Sequence, residues 1–190
     1  AGIDGVELHA ASGYLINQFM NPASNHRDDA FGGSPENLVR FPLIVLKAMT
    51  DAIGGGRVGL RISPGNPYNS MDVTDPAATF GPLLRGADPL NLAYIHVADM
   101  ALKDLDTLAF IHANCRAPII ANNMLNAETG RALIDGGRAD AISFGRAFIA
   151  NPDLVERLKK GAPLAKPDYS LLYTGEEKGY VDYPALDATA

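Results

Sequence analysis

Five apolar runs of strand length, separated by segments with helical spacing, constrain this chain more than any other feature. They occupy residues 5–10, 58–63, 93–98, 118–123 and 141–146. Each is bounded by turn-forming or polar residues. Each also reads as too continuous for a sheet with one wet face, which is how buried parallel strands look in sequence. The intervening segments have recognisable starts and stops. The first helix opens at Ser34-Pro35, an N-cap followed by proline at the first helical position. It places Leu38, Phe41, Val45, Met49 and Ile53 at three- and four-residue intervals and stops at Gly54-Gly55-Gly56, with Pro42 expected to kink it. Further helices are expected from Asp75 to Gly86, over 104–115 and 126–135, and from Asn151-Pro152-Asp153 to Gly161. Strict alternation of this kind implies a parallel sheet with right-handed crossovers. A doubly wound sheet and a (β/α)8 barrel both fit. As a barrel, the five units are three short of a full set.

The totals describe one globular domain. The 190 residues suffice for a sizeable core, and an irregular tail from about residue 162 completes a single partial barrel domain over 1–190. A net charge of −6 argues against nucleic acid and anionic membrane as partners. No window approaches the roughly 18 uninterrupted apolar residues of a membrane span. The single cysteine, Cys115, allows no internal disulfide and fits a reducing, cytoplasmic setting.

Polar residues collect after the strands, where parallel α/β folds build their sites. His9, Ser12 and Tyr14 follow the first run; Arg61, Ser63 and Tyr68 the second; Asn122 and Asn123 the fourth; Gly145 and Arg146 the fifth. Arg61 lies among apolar strand residues and cannot discharge itself, so it needs an anionic partner. That partner is either a protein carboxylate or an anionic ligand. Gly145-Arg146 suits a phosphate, with backbone N–H groups and a bidentate donor; an arginine paired with a surface carboxylate is the plain alternative. His9 alone would more often be a satisfied core histidine. With Tyr14, whose phenol can donate a proton, and Ser12, it forms a group suited to carbonyl recognition and proton delivery. The glycine pairs and triplets precede strands and are helix caps, and no GxGxxG follows a strand. The histidines and Cys115 have no metal-ligand spacing, so no metal is expected.

In combination, several stretches resemble the old yellow enzyme family of FMN-dependent oxidoreductases, especially its N-ethylmaleimide reductase-like branch. They are Gly5-Val6-Glu7-Leu8-His9 with Gly13-Tyr14-Leu15, Arg27-Asp28 with Phe31-Gly32-Gly33-Ser34, and Val58-Gly59-Leu60-Arg61-Ile62-Ser63-Pro64. Phe144-Gly145-Arg146, Asn151-Pro152-Asp153-Leu154 and Lys178-Gly179-Tyr180 complete the set. The resemblance implies an α/β fold of (β/α)8 TIM-barrel type, here its strands four to eight with their helices and the C-terminal tail. It implies an ene-reductase that passes hydride from NADH or NADPH through FMN to the activated alkene of an enone, maleimide or nitroalkene. Carried over by position, His9 would hydrogen-bond the substrate carbonyl and Tyr14 would protonate the α-carbon. Arg61 would sit at the flavin's pyrimidine edge, and Gly145 and Arg146 would hold its phosphate with Asn122 and Asn123 beside them. Tyr68 and Tyr173 would wall the substrate pocket.

Ser12 departs from the asparagine or histidine the family places there, and Asn122 from a common glycine. The first departure predicts altered substrate binding, since one neutral hydrogen bond is worth roughly 0.5–1.5 kcal/mol. A five-stranded portion also leaves sheet edges uncovered, so a preceding half or self-association is expected to complete it. A half-barrel module that binds no flavin is the alternative reading.

Overall fold

The computed structural model describes residues 2–72, 74–172 and 176–186. Strands β1 (Val6–Ala10), β2 (Val58–Ile62), β3 (Tyr94–Ala98), β4 (Ile119–Asn122) and β5 (Ala141–Ile142) are all parallel and hydrogen-bond in chain order. That order decides between the two architectures. A doubly wound sheet reverses at a switch point, so its spatial order departs from chain order. Here every new strand adds to the same edge, which is the winding of a (β/α)8 barrel. The fold is α/β, with five strands of such a barrel.

Side chains alternate across a strand, so the register sorts them into two faces. Leu8, Leu60, Ile95 and Ile119 lie side by side in one row, and Ala10, Ile62, Val97, Ala121 and Ile142 in the next. Leu60, Ile62, Ile95, Val97 and Ile119 on this face are wholly buried. The helices supply the other half of that core. Leu46 from α3 (Arg40–Ile53), Leu83 and Leu84 from α4 (Pro76–Ala87), and Leu108 and Ile111 from α5 (Thr107–Asn114) are buried with them. Each such side chain contributes roughly 1.5–3 kcal/mol relative to exposure.

The opposite face is not apolar. Glu7, Gly59 and Tyr94 form one row, and His9, Arg61, His96, Ile120 and Ala141 the next, with Asn122 beside Ala98 above them. The runs looked continuously apolar because glycine, alanine and isoleucine alternate with the polar residues on this face. The period of two was masked.

Helix boundaries follow their local chemistry. Ser34 caps α2 (Pro35–Leu38) by accepting from the Asn37 N–H at 3.3 Å. The break expected at Pro42 falls earlier, at Val39, which caps α3. A proline ring clashes with the carbonyl four residues back, so the ladder parts there and Pro42 sits in a first turn that needs no N–H. Asp75 caps α4 by accepting from the Ala78 N–H at 3.0 Å. The short α1 (Leu15–Met20) follows Tyr14 and lies outside the expected helices, whereas α6 (Ala127–Asp135) falls within the helix expected over 126–135.

The described chain falls into two compact units. One comprises residues 1–124 and 129–142, the other residues 125–128 and 143–190. In the second, α7 (Arg146–Ala150) and α8 (Leu154–Lys160) carry the tail. Asn151 is fully buried; its amide donates to the Ala147 and Ala165 carbonyls at 2.8 and 3.0 Å and accepts from the Ala165 N–H at 2.8 Å. Arg157 donates to the Pro163 and Pro184 carbonyls, both at 3.0 Å, and to Asp153 at 2.7 Å. Asp153 in turn accepts from the Leu186 N–H at 2.8 Å. The Asn151 and Arg157 side chains, not a strand ladder, hold the Pro163, Ala165 and Pro184 backbone groups of the tail. No helix among the described residues is long and apolar enough to cross a membrane.

Candidate active site

His9 ends the polar row of β1, directly opposite Arg61 on β2. The chain then turns sharply. Ser12 and Gly13 both take left-handed backbone angles, with φ of 56° and 72°. The Ser12 N–H donates to Ser63 Oγ at 2.8 Å, and Asn69 Nδ2 donates to the Ser12 carbonyl at 2.9 Å. A Cβ on Gly13 would lie 2.8 Å from the Tyr68 carbonyl oxygen and 2.5 Å from Asn69 Cβ. The loops after β1 and β2 therefore meet where only glycine fits. The turn brings Tyr14 back over His9, with ring centroids 5.3 Å apart and planes tilted by 49°. Tyr14 and Tyr68 are 53% and 59% exposed, open to a small molecule arriving from solvent.

Burial, and after it the Arg61 charge, pushes the His9 imidazole below its ordinary value against an upward pull from Glu7. A neutral imidazole has one N–H donor and suits a carbonyl oxygen.

Arg61 is half-buried on the polar face. Its Nη2 donates to Asn122 Oδ1 at 3.0 Å, and its Nη1 lies 2.9 Å from His96 Nδ1 and nearer still to Nε2. His96 Nδ1 is also 2.9 Å from Glu7 Oε2. The Arg61 guanidinium is pulled down by burial and up by Glu7, and stays charged throughout any working pH range. Burial raises the Glu7 carboxyl, but the His96 hydrogen bond and the His96 and Arg61 charges outweigh it, and the net shift is downward. Burial, then Glu7, raises the Tyr94 phenol. The protein carboxylate weighed as Arg61's partner thus exists, with an imidazole set between them.

The Glu7 shift has a sign that can be measured. A carboxyl lowered on folding stabilises the protein above its unfolded value, near 4.5, and that contribution is lost as pH falls below it. Glu7→Gln is expected to lower the melting temperature at neutral pH, where the carboxylate's contribution is fully present, and to flatten the acid limb so that the two profiles converge below about pH 4.5. An acid limb as steep as wild type would mean the carboxylate is not held by these partners.

The other expected residues are placed as follows. Asn122 ends β4 and holds Arg61. Asn123, at φ 90°, donates from Nδ2 to the Asp99 carbonyl at 2.8 Å, tying the β3 and β4 loops together. The fifth strand is only two residues long, so Gly145 and Arg146 lie beyond it, in the second unit, as the N-cap and first residue of α7. Tyr173 lies outside the described residues. Glu7, Tyr94 and His96 were not singled out from sequence; their alternation with apolar neighbours on β1 and β3 was the available signal. A cavity of about 210 Å³ is lined by Met20, Leu38, Ser63, Met71 and Phe80 among others; Ser63 is the one residue of the polar groups after the strands that it includes, and His9, Tyr14 and Arg61 do not line it. No cluster of His, Cys, Asp or Glu suited to a metal ion occurs among the described residues.

Comparison with known proteins agrees with this architecture. The family model of the NADH:flavin oxidoreductase / NADH oxidase family matches residues 1–165. The "Probable flavin mononucleotide-dependent alkene reductase" of Leishmania infantum is 42% identical over 191 residues, covering 98% of this chain and 52% of that protein. 12-Oxophytodienoate reductase 2 of Arabidopsis thaliana is 37% identical over 198 residues, covering 100% and 53%. A solved structure of morphinone reductase in complex with tetrahydroNAD superposes with a TM-score of 0.93 at 39% identity, covering 99% of this chain and 52% of that one. The chain thus spans about half the length of the relatives it matches. Strand order, polar sheet face and sequence agree: the chain belongs to the NADH:flavin oxidoreductase / NADH oxidase family, which includes the old yellow enzymes.

Proposed function

We propose that this chain forms the substrate-binding and proton-delivering side of an FMN-dependent ene-reductase acting on the activated C=C of an enone, maleimide or nitroalkene. The observation that carries the proposal is the His9–Tyr14 pair, 5.3 Å apart at the carboxyl end of a strand whose neighbour presents Arg61 in register. FMN, when bound, supplies hydride transfer from NADH or NADPH, which no side chain can provide. The residues present fit that group. A cation on an otherwise half-polar sheet face complements an electron-rich ring edge, and Arg61 would take that role. Gly145 has φ −93° and nothing within 4 Å of the place its Cβ would occupy, so neither backbone strain nor crowding accounts for a glycine there. Open space over a backbone suits a phosphate. The phosphate role of Gly145 and Arg146, and the supporting role of Asn122 and Asn123, otherwise rest on family resemblance.

His9 donates its N–H to the substrate's carbonyl or nitro oxygen, and Ser12 offers a second, shorter donor. Tyr14 delivers its phenolic proton to the α-carbon. Tyr68, exposed at the meeting of the two loops, flanks the substrate, and Tyr173 is assigned to the same wall. Further polypeptide or a second copy completing the barrel belongs to the same proposal, and native mass together with sedimentation measures it.

Titration of the purified chain with FMN tests the reading. Saturable quenching of flavin fluorescence is expected, weakened about tenfold or more in Arg61→Ala, in keeping with the loss of a charge-assisted contact. A chain that takes up no FMN would instead support the half-barrel module without flavin.

A further inference from the structure

We infer that Ser63 and Asn69 are positioning residues for Tyr14: they anchor the Ser12–Gly13 turn to the segment that leaves β2, and the turn carries that anchor to the Tyr14 ring over His9. Ser12 and Gly13 lie between β1 and α1 and belong to neither, so their four peptide groups need other partners. Each finds a side chain. The Ser12 N–H donates to Ser63 Oγ at 2.8 Å, and the Ser12 carbonyl accepts from Asn69 Nδ2 at 2.9 Å. The Gly13 N–H donates to Asn17 Oδ1 at 2.9 Å, and the Gly13 carbonyl accepts from Gln18 Nε2 at 2.8 Å.

The two pairs of bonds lead to different places. Asn17 and Gln18 belong to α1, whose N-cap is Tyr14, so Gly13 is fastened to the helix that follows it. Ser63 and Asn69 lie 51 and 57 residues further along the chain, so Ser12 is fastened to the neighbouring strand instead. Ser63 is buried and directly follows Ile62, which the ladder holds in register with Ala10. It is therefore a fixed point, and Tyr14 needs one. The Tyr14 ring is 53% exposed, so packing alone does not settle where it lies. Two residues before it, Ser12 holds a left-handed φ of 56°, which a serine keeps only where its surroundings impose it. With both Ser12 peptide groups taken by the β2 segment, the approach of Tyr14 to His9 is set before a substrate arrives.

The anchoring stands independently of the ene-reductase reading; only the kinetic arm of the test rests on it. Proton NMR of the flavin-free chain is expected to show a Ser12 amide slow to exchange and cross-relaxation between the Tyr14 and His9 rings. A Ser12 amide exchanging as fast as an open loop would overturn the inference with no variant made. Ser63→Ala combined with Asn69→Asp removes both Ser12 bonds, and aspartate tolerates the left-handed backbone at that position. In this double variant the Ser12 amide should exchange at least about tenfold faster and the ring contact should disappear, with the β1 and β2 amides unchanged. A ring contact that survives would overturn the inference. Ser63→Thr keeps the hydroxyl beside the cavity of about 210 Å³, which has room for the added methyl, and should keep the Ser12 amide protected. Loss of protection there would count against the Ser63 bond. In alkene reduction, Tyr14→Phe should slow the double variant much less than it slows wild type, as expected of residues that act through Tyr14. Equal slowing in both would overturn the inference. If Tyr14→Phe leaves wild-type alkene reduction unchanged while the NMR arms hold, the proton-delivery reading of Tyr14 fails and its positioning stands.

Discussion

In the proposed ene-reductase, replacing Tyr14 with phenylalanine is expected to slow alkene reduction at least about 100-fold, the usual worth of a positioned general acid. The substitution removes one oxygen and keeps the ring that packs at 5.3 Å from His9. Tyr14 is the N-cap of α1 through its backbone, without a side-chain capping bond, so the helix loses nothing. FMN affinity and the rate of flavin reduction by NADH or NADPH should be unchanged, because neither step needs a proton at the substrate's α-carbon. The defect should be confined to the substrate half of the cycle and to substrates whose α-carbon is too weakly basic to take a proton from water. Stopped-flow measurement of the two half-reactions separates these. Equal slowing of both would point to a displaced loop, and an unaffected alkene step would remove Tyr14 from the proton path. His9→Ala should differ in kind, raising KM as well as lowering kcat, because a carbonyl donor acts in both ground and transition states.

What could be read in the sequence depended on how local the signal was. The β-α alternation was legible because each strand and helix carries its own period, and Ser34-Pro35 and Asp75-Pro76 announce helix starts by chemistry confined to four residues. His9, Arg61 and Asn122 stood out as polar residues at the ends of apolar runs. Glu7, Tyr94 and His96 did not, because their meaning arises only when three strands are in register. Gly59 hides the same information: in sequence it is an apolar strand residue, and in the sheet it is the gap that admits Tyr94. Choosing a barrel over a doubly wound sheet needed the spatial strand order, which periodicity cannot carry. The fifth run is four residues longer than its strand because Phe144 extends the strand-like pattern of Ala141-Ile142 past the last ladder bond. The ladder to β4 ends at Ile142, and the backbone turns into α7 at Gly145.

The Asn151-Pro152-Asp153-Leu154 stretch, a family signature with no chemistry attached, gains a physical role in the second unit, and that role predicts the largest loss of stability. Arg157→Met is expected to cost about 2–3 kcal/mol, since it deletes three hydrogen bonds of a buried guanidinium, one of them to a carboxylate. Methionine keeps most of the aliphatic bulk, so packing beneath α8 is nearly conserved and the loss isolates the guanidinium. Arg157 is 8% exposed and donates at once to Asp153, Pro163 and Pro184. Removing it leaves two backbone carbonyls without their donor and frees Asp153 to swing away from the Leu186 N–H. The Pro184–Leu186 end should loosen first, because Asn151 still holds the tail at Ala165. Hydrogen exchange should accelerate at the Leu186 amide far more than at Ala165, and limited proteolysis should cut first near Pro184. Protection in the β1–β4 sheet should be preserved, since its core rests on Leu60, Ile95 and Ile119 and not on the tail. If Arg157→Met leaves Leu186 as protected as in wild type, the clamp is not what docks the tail. If sheet amides lose protection in step, the two units unfold as one, and the stability of the polar face carrying Arg61 depends on a residue outside its own unit.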